Sequence, residues 1–222
     1  MAAPFTRSIV CPVLIGRGPH IDALVQLIEQ ACSGQGQTVL IAGEAGIGKT
    51  RLVAEALASL RSTRSRERAP LVLPGRCFEP DRSLPYAPLL DLLRSFLASH
   101  SPEGIAAASD PTARALVKLL PELATLLPEP APGSLLEPDL EKYQLFQALT
   151  RFFTRLSVAQ PLLIIVEDMH WSDDSSLEFL LYLARRIASQ RVLLLLTYRS
   201  EEEHPVLTPS LPHWIASDLL WN

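Results

Sequence analysis

Gly43-Glu44-Ala45-Gly46-Ile47-Gly48-Lys49-Thr50 decides how this chain is read. The stretch satisfies every fixed position of G-x-x-x-x-G-K-[ST], a loop that wraps main-chain N–H groups around a phosphate chain. The apolar run Thr38-Val39-Leu40-Ile41-Ala42 precedes it, and a helix-compatible stretch from Arg51 to Leu60 follows. That strand–loop–helix context is what the motif needs. Its glycines admit backbone angles that a side chain forbids. The loop amides and the positive end of the next helix then favour an anion. Lys49 is spaced to reach the β- and γ-phosphates and the Thr50 hydroxyl to hold Mg²⁺. Gly43, Glu44, Ala45, Gly46, Ile47, Gly48 and Arg51 complete the expected nucleotide-binding set. The alternative is an ordinary Gly-rich turn, which the flanking strand and helix argue against.

Working outward, Ile21, Leu24, Val25, Leu27, Ile28 and Ala31 recur at helical spacing, with Pro19 near the start and Gly34 past the end. Residues 1–18 read as an irregular lead-in. Arg61 to Arg68 is a basic run without aromatics, expected as a solvated loop. Leu71-Val72-Leu73 reads as a weaker second strand running into Pro74-Gly75-Arg76-Cys77. Leu89, Leu92, Leu93, Phe96 and Leu97 indicate one helix, and Ala115, Leu116, Leu119 and Leu120 a second, stopped near Pro121. Residues 128–133, rich in proline, read as a connector. A long amphipathic helix is expected over Asp139–Val158.

Leu162-Leu163-Ile164-Ile165-Val166 has no polar alternation, the signature of a strand covered on both faces of a parallel sheet. It ends in Glu167-Asp168. Ser175 and Glu178 have capping-box spacing at the head of a helix carrying Leu177, Leu180, Leu181, Ala184 and Ile187. A fourth strand, Val192 to Thr197, ends in Tyr198-Arg199. Weak helical character is expected around Trp214–Leu220. The alternation of strands and helices predicts an α/β P-loop NTPase: a parallel sheet with helices on both faces and a helical insertion between the second and third strands. The 222 residues read as one domain, with a core over about 19–204 and a tail over 205–222.

The composition excludes several functions. Hydrophobic residues make up 48 % and the net charge is −4, so a core can be buried and no strong electrostatic hold on nucleic acid is expected. Cys11, Cys32 and Cys77 are far apart and lack metal-ligand spacing, as idle thiols in a reducing compartment would be. The apolar runs are too short to span a bilayer, and the start lacks the form of a signal peptide. A cytoplasmic setting is expected.

Triphosphate chemistry needs a carboxylate near Mg²⁺ and a group that orients water. Glu167 and Asp168 suit these tasks, Glu167 for the metal shell and Asp168 for the water, with the reverse order open. Arg199 ends the next strand, where a cation could sense the γ-phosphate. His170 reads as a turn residue and Trp171 as a cap on the core. Asp173 and Asp174 are expected to cap the next helix rather than join the metal shell.

Several motifs together resemble one family. Leu14-Ile15-Gly16-Arg17 before a helix, Gly43–Thr50, Gly75-Arg76-Cys77, Pro85-Tyr86-Ala87-Pro88-Leu89, Ile165 to Asp173 and Leu196-Thr197-Tyr198-Arg199 resemble the Orc1-like AAA ATPase module of the STAND class. The similarity covers roughly residues 13–204. It is greatest to the N-terminal ATPase domains of large LuxR-type transcription regulators, and the module also occurs fused to nucleotide cyclases and Ser/Thr kinases. The resemblance implies an ATP/ADP switch, with Gly16 and Arg17 near the adenine and self-association on ATP binding as an accompanying expectation. It implies that the Arg199 strand lies between the P-loop strand and the Glu167 strand, with a fifth strand beyond the P-loop strand. No convincing fifth strand is legible before Asn222. The expectation is therefore a fragment with an exposed P-loop edge strand, reaching DNA only through a further domain. A turnover ATPase acting as a motor or loader, and a binding module that no longer hydrolyses, are the alternatives.

Overall fold

In the computed structural model, residues 16–63, 69–100, 111–125, 138–201 and 218–219 are described. The sequence expectations on residues 1–15, 64–68, 128–133 and 202–217 lie outside them. A five-stranded, wholly parallel sheet forms the centre, ordered β2-β3-β4-β1-β5. The strands are β1 Gln37–Gly43, β2 Leu71–Arg76, β3 Leu162–Glu167, β4 Val192–Arg199 and β5 Asp218–Leu219. The helices are α1 Gly18–Cys32, α2 Lys49–Thr63, α3 Ala87–Ser99, α4 Pro138–Ala159 and α5 Asp174–Ala184.

The lack of polar alternation in β3 follows from cover on both faces. Leu162, Ile164 and Val166 point into a core with Leu92, Phe96, Phe153 and Phe179. Leu163 and Ile165 point the other way, into a core with Leu24, Ile28, Leu52 and Ala56. Thus α1 and α2 cover one face, and α3, α4 and α5 the other. The edge position of β2 explains Pro74, which has no N–H to give to a further strand. Gly75 has a packing reason. A Cβ there would lie 2.8 Å from the Pro88 carbonyl oxygen and 3.0 Å from the Leu92 side chain, so α3 sits on β2 as closely as glycine permits.

Four details differ from the sequence reading. Residues 111–118 and 121–125 form two 3-10 turns rather than an α-helix, because Pro111 and Pro121 break the stretch into pieces too short for α-helical pairing. Leu116, Leu120 and Leu123 are nevertheless buried. Helix α5 is capped by Asp173, not by a Ser175–Glu178 box, because the Asp173 carboxylate reaches the Ser176 amide at 2.9 Å. Glu178 instead pairs with Lys142 on α4. Strand β2 runs on through Arg76. Finally, Asp218–Leu219 is a strand, not helix. It pairs with Leu40 and Ile41, so the P-loop strand has neighbours on both sides there. The pairing occupies main-chain groups of a buried strand that an edge would leave open. Among the described residues, no helix is long and apolar enough to cross a membrane.

Candidate functional site: a phosphate cleft at the strand ends

The parallel register brings the carboxyl ends of four strands into one row. Gly43 of β1 is level with Arg199 of β4, and Arg76 of β2 is level with Glu167 of β3. Open parallel sheets place their ligand crevice at this rim. A cleft of about 630 Å³ occupies it, lined by Gly46, Gly48, Lys49, Thr50, Asp168 and Arg199, with Arg76 closing one side.

Gly46 and Gly48 adopt positive φ, +75° and +103°, which lets the loop turn back on itself ahead of α2. The Gly48 carbonyl accepts the first α2 bond from the Leu52 amide at 2.9 Å. Lys49 is only 8 % exposed. Its ammonium donates to the carbonyls of Gly43 at 2.8 Å and Glu44 at 2.9 Å. Burial pushes its pKa down, and the Asp168 carboxylate opposes that shift. Arg199 and Glu201 also act on Lys49 electrostatically, in opposite senses. The cleft is thus one charge system built from β1, β3 and β4.

The two acids diverge. Asp168 takes the left-handed conformation, φ 58° and ψ 45°, and its amide donates to the Thr197 hydroxyl at 3.1 Å. Aspartate tolerates this region better than most residues, and such a kink marks functional turns. It directs the Asp168 side chain into the cleft. Glu167 instead lines an adjoining apolar groove of about 410 Å³ between α2, β2 and β3, with Thr50 shared between groove and cleft. Glu167 therefore faces the groove and Asp168 the cleft that Lys49 lines, with Thr50 common to both.

Arg76 is the residue that sequence reasoning missed. Its Nε donates to Asp168 Oδ2 at 3.0 Å, and its Nη2 lies 2.9 Å from the same oxygen in an ion pair. Its guanidinium also lies 5.5 Å from the centre of the Phe78 ring. The signal available was its place just past the expected second strand, within Gly75-Arg76-Cys77. Gly16 and Arg17 stand at the start of α1, and among the described residues neither lines the cleft. Trp171 packs against the core, as expected of a cap, and His170 is buried beside it. Asp173 serves the α5 cap.

Among the described residues, no three His, Cys, Asp or Glu side chains form a metal cage. Mg²⁺ on a nucleotide needs none, because it takes substrate phosphates, waters and one or two carboxylates. The Thr50 hydroxyl with Glu167 and Asp168 on either side fits that donor set.

This fold and cleft define a P-loop nucleotide-binding domain of AAA type. The chain belongs to the AAA ATPase domain family, whose model matches residues 13–196. It is 33 % identical over 199 residues to Uncharacterized protein R02095 of Rhizobium meliloti (strain 1021), covering 84 % of this chain and 18 % of that protein. The chain therefore spans less than a fifth of the length of that relative. Among solved structures it is similar to the Aeropyrum pernix ORC2 protein in its ADPNP–ADP complexes, at 18 % identity and a TM-score of 0.48, covering 86 % of this chain and 43 % of that one. It is also similar to the Aeropyrum pernix ORC1 protein in complex with DNA, at 17 % identity and a TM-score of 0.43, covering 90 % and 44 %.

Proposed function

We infer that the chain is an ATP-binding switch domain of a larger signal-transduction protein, with slow hydrolysis resetting it from ATP to ADP. The observation that carries this reading is the convergence of Lys49, Asp168 and Arg199 on the cleft beneath the Gly46–Gly48 turn. In this reading the loop amides and Lys49 hold the β- and γ-phosphates. The Thr50 hydroxyl and Glu167 would hold magnesium, which when bound would supply charge neutralisation on the phosphates. Asp168 orients the attacking water, and Arg199 stabilises charge on the γ-phosphate.

A switch is favoured over rapid turnover because, without a triphosphate in the cleft, the Asp168 carboxylate is held by the Arg76 guanidinium and must change partner before it can act on water. The whole-protein context is the N-terminal part of a LuxR-type transcriptional regulator, supported by the distributed motifs and by the small share of its relative that the chain covers. A cytoplasmic setting, self-association on ATP binding and contact with DNA through another domain belong to the same reading.

Calorimetric titration with Mg·ATP and Mg·ADP tests it. Lys49→Ala removes a charge-assisted bond without core volume and should weaken both affinities roughly tenfold to a hundredfold, with an unchanged circular dichroism spectrum. Unchanged affinity in that variant would remove the phosphate-site assignment. Turnover on the scale of many cycles per second would favour the motor reading instead.

A further inference from the structure

We propose that Arg76 reads the third phosphate: it trades Asp168 for the γ-phosphate of ATP, and so discriminates ATP from ADP while releasing Asp168 only when there is a phosphate to transfer. The proposal rests on the switch reading above and adds to it a residue and a rule.

The main chain of Arg76 is fixed on three sides. It is in register with Glu167, the next amide, of Cys77, donates to the Glu167 carbonyl at 2.9 Å, and its own amide donates to the Asp91 carboxylate. Gly75 behind it is pressed against α3. The base of the side chain cannot shift, so any change of partner must come from side-chain rotation. The tip has that freedom. The side chain is 55 % exposed, and it lines the phosphate cleft as well as the apolar groove.

A guanidinium carries five N–H donors in a fork that suits two acceptor oxygens at once. Here two of its nitrogens converge on one oxygen of Asp168. That single-oxygen pairing is weaker than the two-oxygen grip that a terminal phosphate offers. The γ-phosphate would also carry more charge than one carboxylate. ADP ends at the β-phosphate, nearer Lys49 and the loop amides, and gives Arg76 no comparable acceptor. The pair with Asp168 therefore persists with ADP and is exchanged with ATP. The Phe78 ring offers the guanidinium an apolar face beside the Asp168 pairing position.

Affinities of the full chain for ADPNP, a non-hydrolysable ATP analogue, and for ADP test this, both with Mg²⁺. The readout is the ratio of the two dissociation constants, independent of hydrolysis. Arg76→Ala should lower the preference for ADPNP about tenfold while changing ADP affinity less than about twofold. Arg76→Lys, which keeps a point charge without the fork, should fall between. Equal losses for both nucleotides, or an unchanged ratio, would overturn the proposal. So would a changed hydrolysis rate with an unchanged ratio, because Arg76 would then only position Asp168. The underlying reading fails separately. If the wild type binds and Lys49→Ala does not, the phosphate site stands whatever Arg76 does. If the wild type binds neither nucleotide, both readings fall.

Discussion

The Asp173 carboxylate lies 3.1 Å from the amide nitrogen of Tyr86, a residue 87 positions upstream. The same Oδ1 accepts from the Ser176 amide at 2.9 Å, and Oδ2 accepts from the Ser176 hydroxyl at 2.5 Å. One buried acid thus caps α5 and holds the residue before α3, where Tyr86 sits at a φ of 66°. The segment just after Asp168 is thereby anchored to the helix that packs on β2.

Asp173→Ala removes a helix cap and leaves the partly buried Tyr86 amide without its acceptor. A loss of about 2–3 kcal/mol in unfolding free energy is expected by urea titration. Asp173→Asn keeps an acceptor and should lose less. A surface-like change below about 0.5 kcal/mol would show that the cap carries no load.

Gly75→Ala should destabilise by about 1–3 kcal/mol, because its Cβ would meet the main-chain oxygen of Pro88, which cannot rotate away. Gly46→Ala meets no atom within 4 Å but must hold a positive φ. Its cost comes from backbone strain and should fall on the phosphate loop. Thermal melts separate the first variant, and nucleotide titration the second.

Burial pushes the Cys77 thiol up from about 9.0 to about 12. The unfolded chain therefore releases this proton at lower pH than the folded one. The contribution is fully present below about pH 9 and is lost as pH rises towards 12. By about pH 10.5 the loss is on the order of 2 kcal/mol. Urea unfolding of wild type and Cys77→Ala at pH 8 and about pH 10.5 checks this, and the variant should show the smaller decline. In the native state at pH 8, iodoacetamide should modify the partly exposed Cys32 well before Cys77.

Glu167→Gln and Asp168→Asn should differ in kind. Glu167 shares its groove with Thr50, so its amide should raise the Mg²⁺ concentration needed for half-maximal ATP binding several-fold. Asp168 shares its cleft with Lys49, so its amide should lower single-turnover hydrolysis at least about tenfold with little change in Mg²⁺ dependence. An exchange of these phenotypes would reverse the two roles.

Sequence alone disclosed whatever is written locally. The P-loop is a contiguous pattern, and β3 and β4 are unbroken apolar runs because cores bury both of their faces. Arg199 and Asp168 were readable because each follows such a run. Arg76 was not, because its partner is 92 residues away and β2 carries Pro74. Asp173 was legible as a cap for α5, but Ser175 and Glu178 offered a competing box because they mimic the spacing that Asp173 and Ser176 use. Strand β5 escaped notice because two residues have no periodicity to read.

The register of β1 with β4 has a consequence for synthesis. Gln37 pairs with Leu193 and Gly43 with Arg199, so β1 skips β2 and β3, which pair with each other, and waits for β4. The phosphate loop is translated early, yet the partner beside its strand leaves the ribosome more than a hundred and fifty residues later. Until then β1 is an apolar segment with no strand to join, the state in which nascent chains associate wrongly or recruit chaperones. Nucleotide affinity should accordingly arise late and all at once, when Arg199 emerges and the row of strand ends closes.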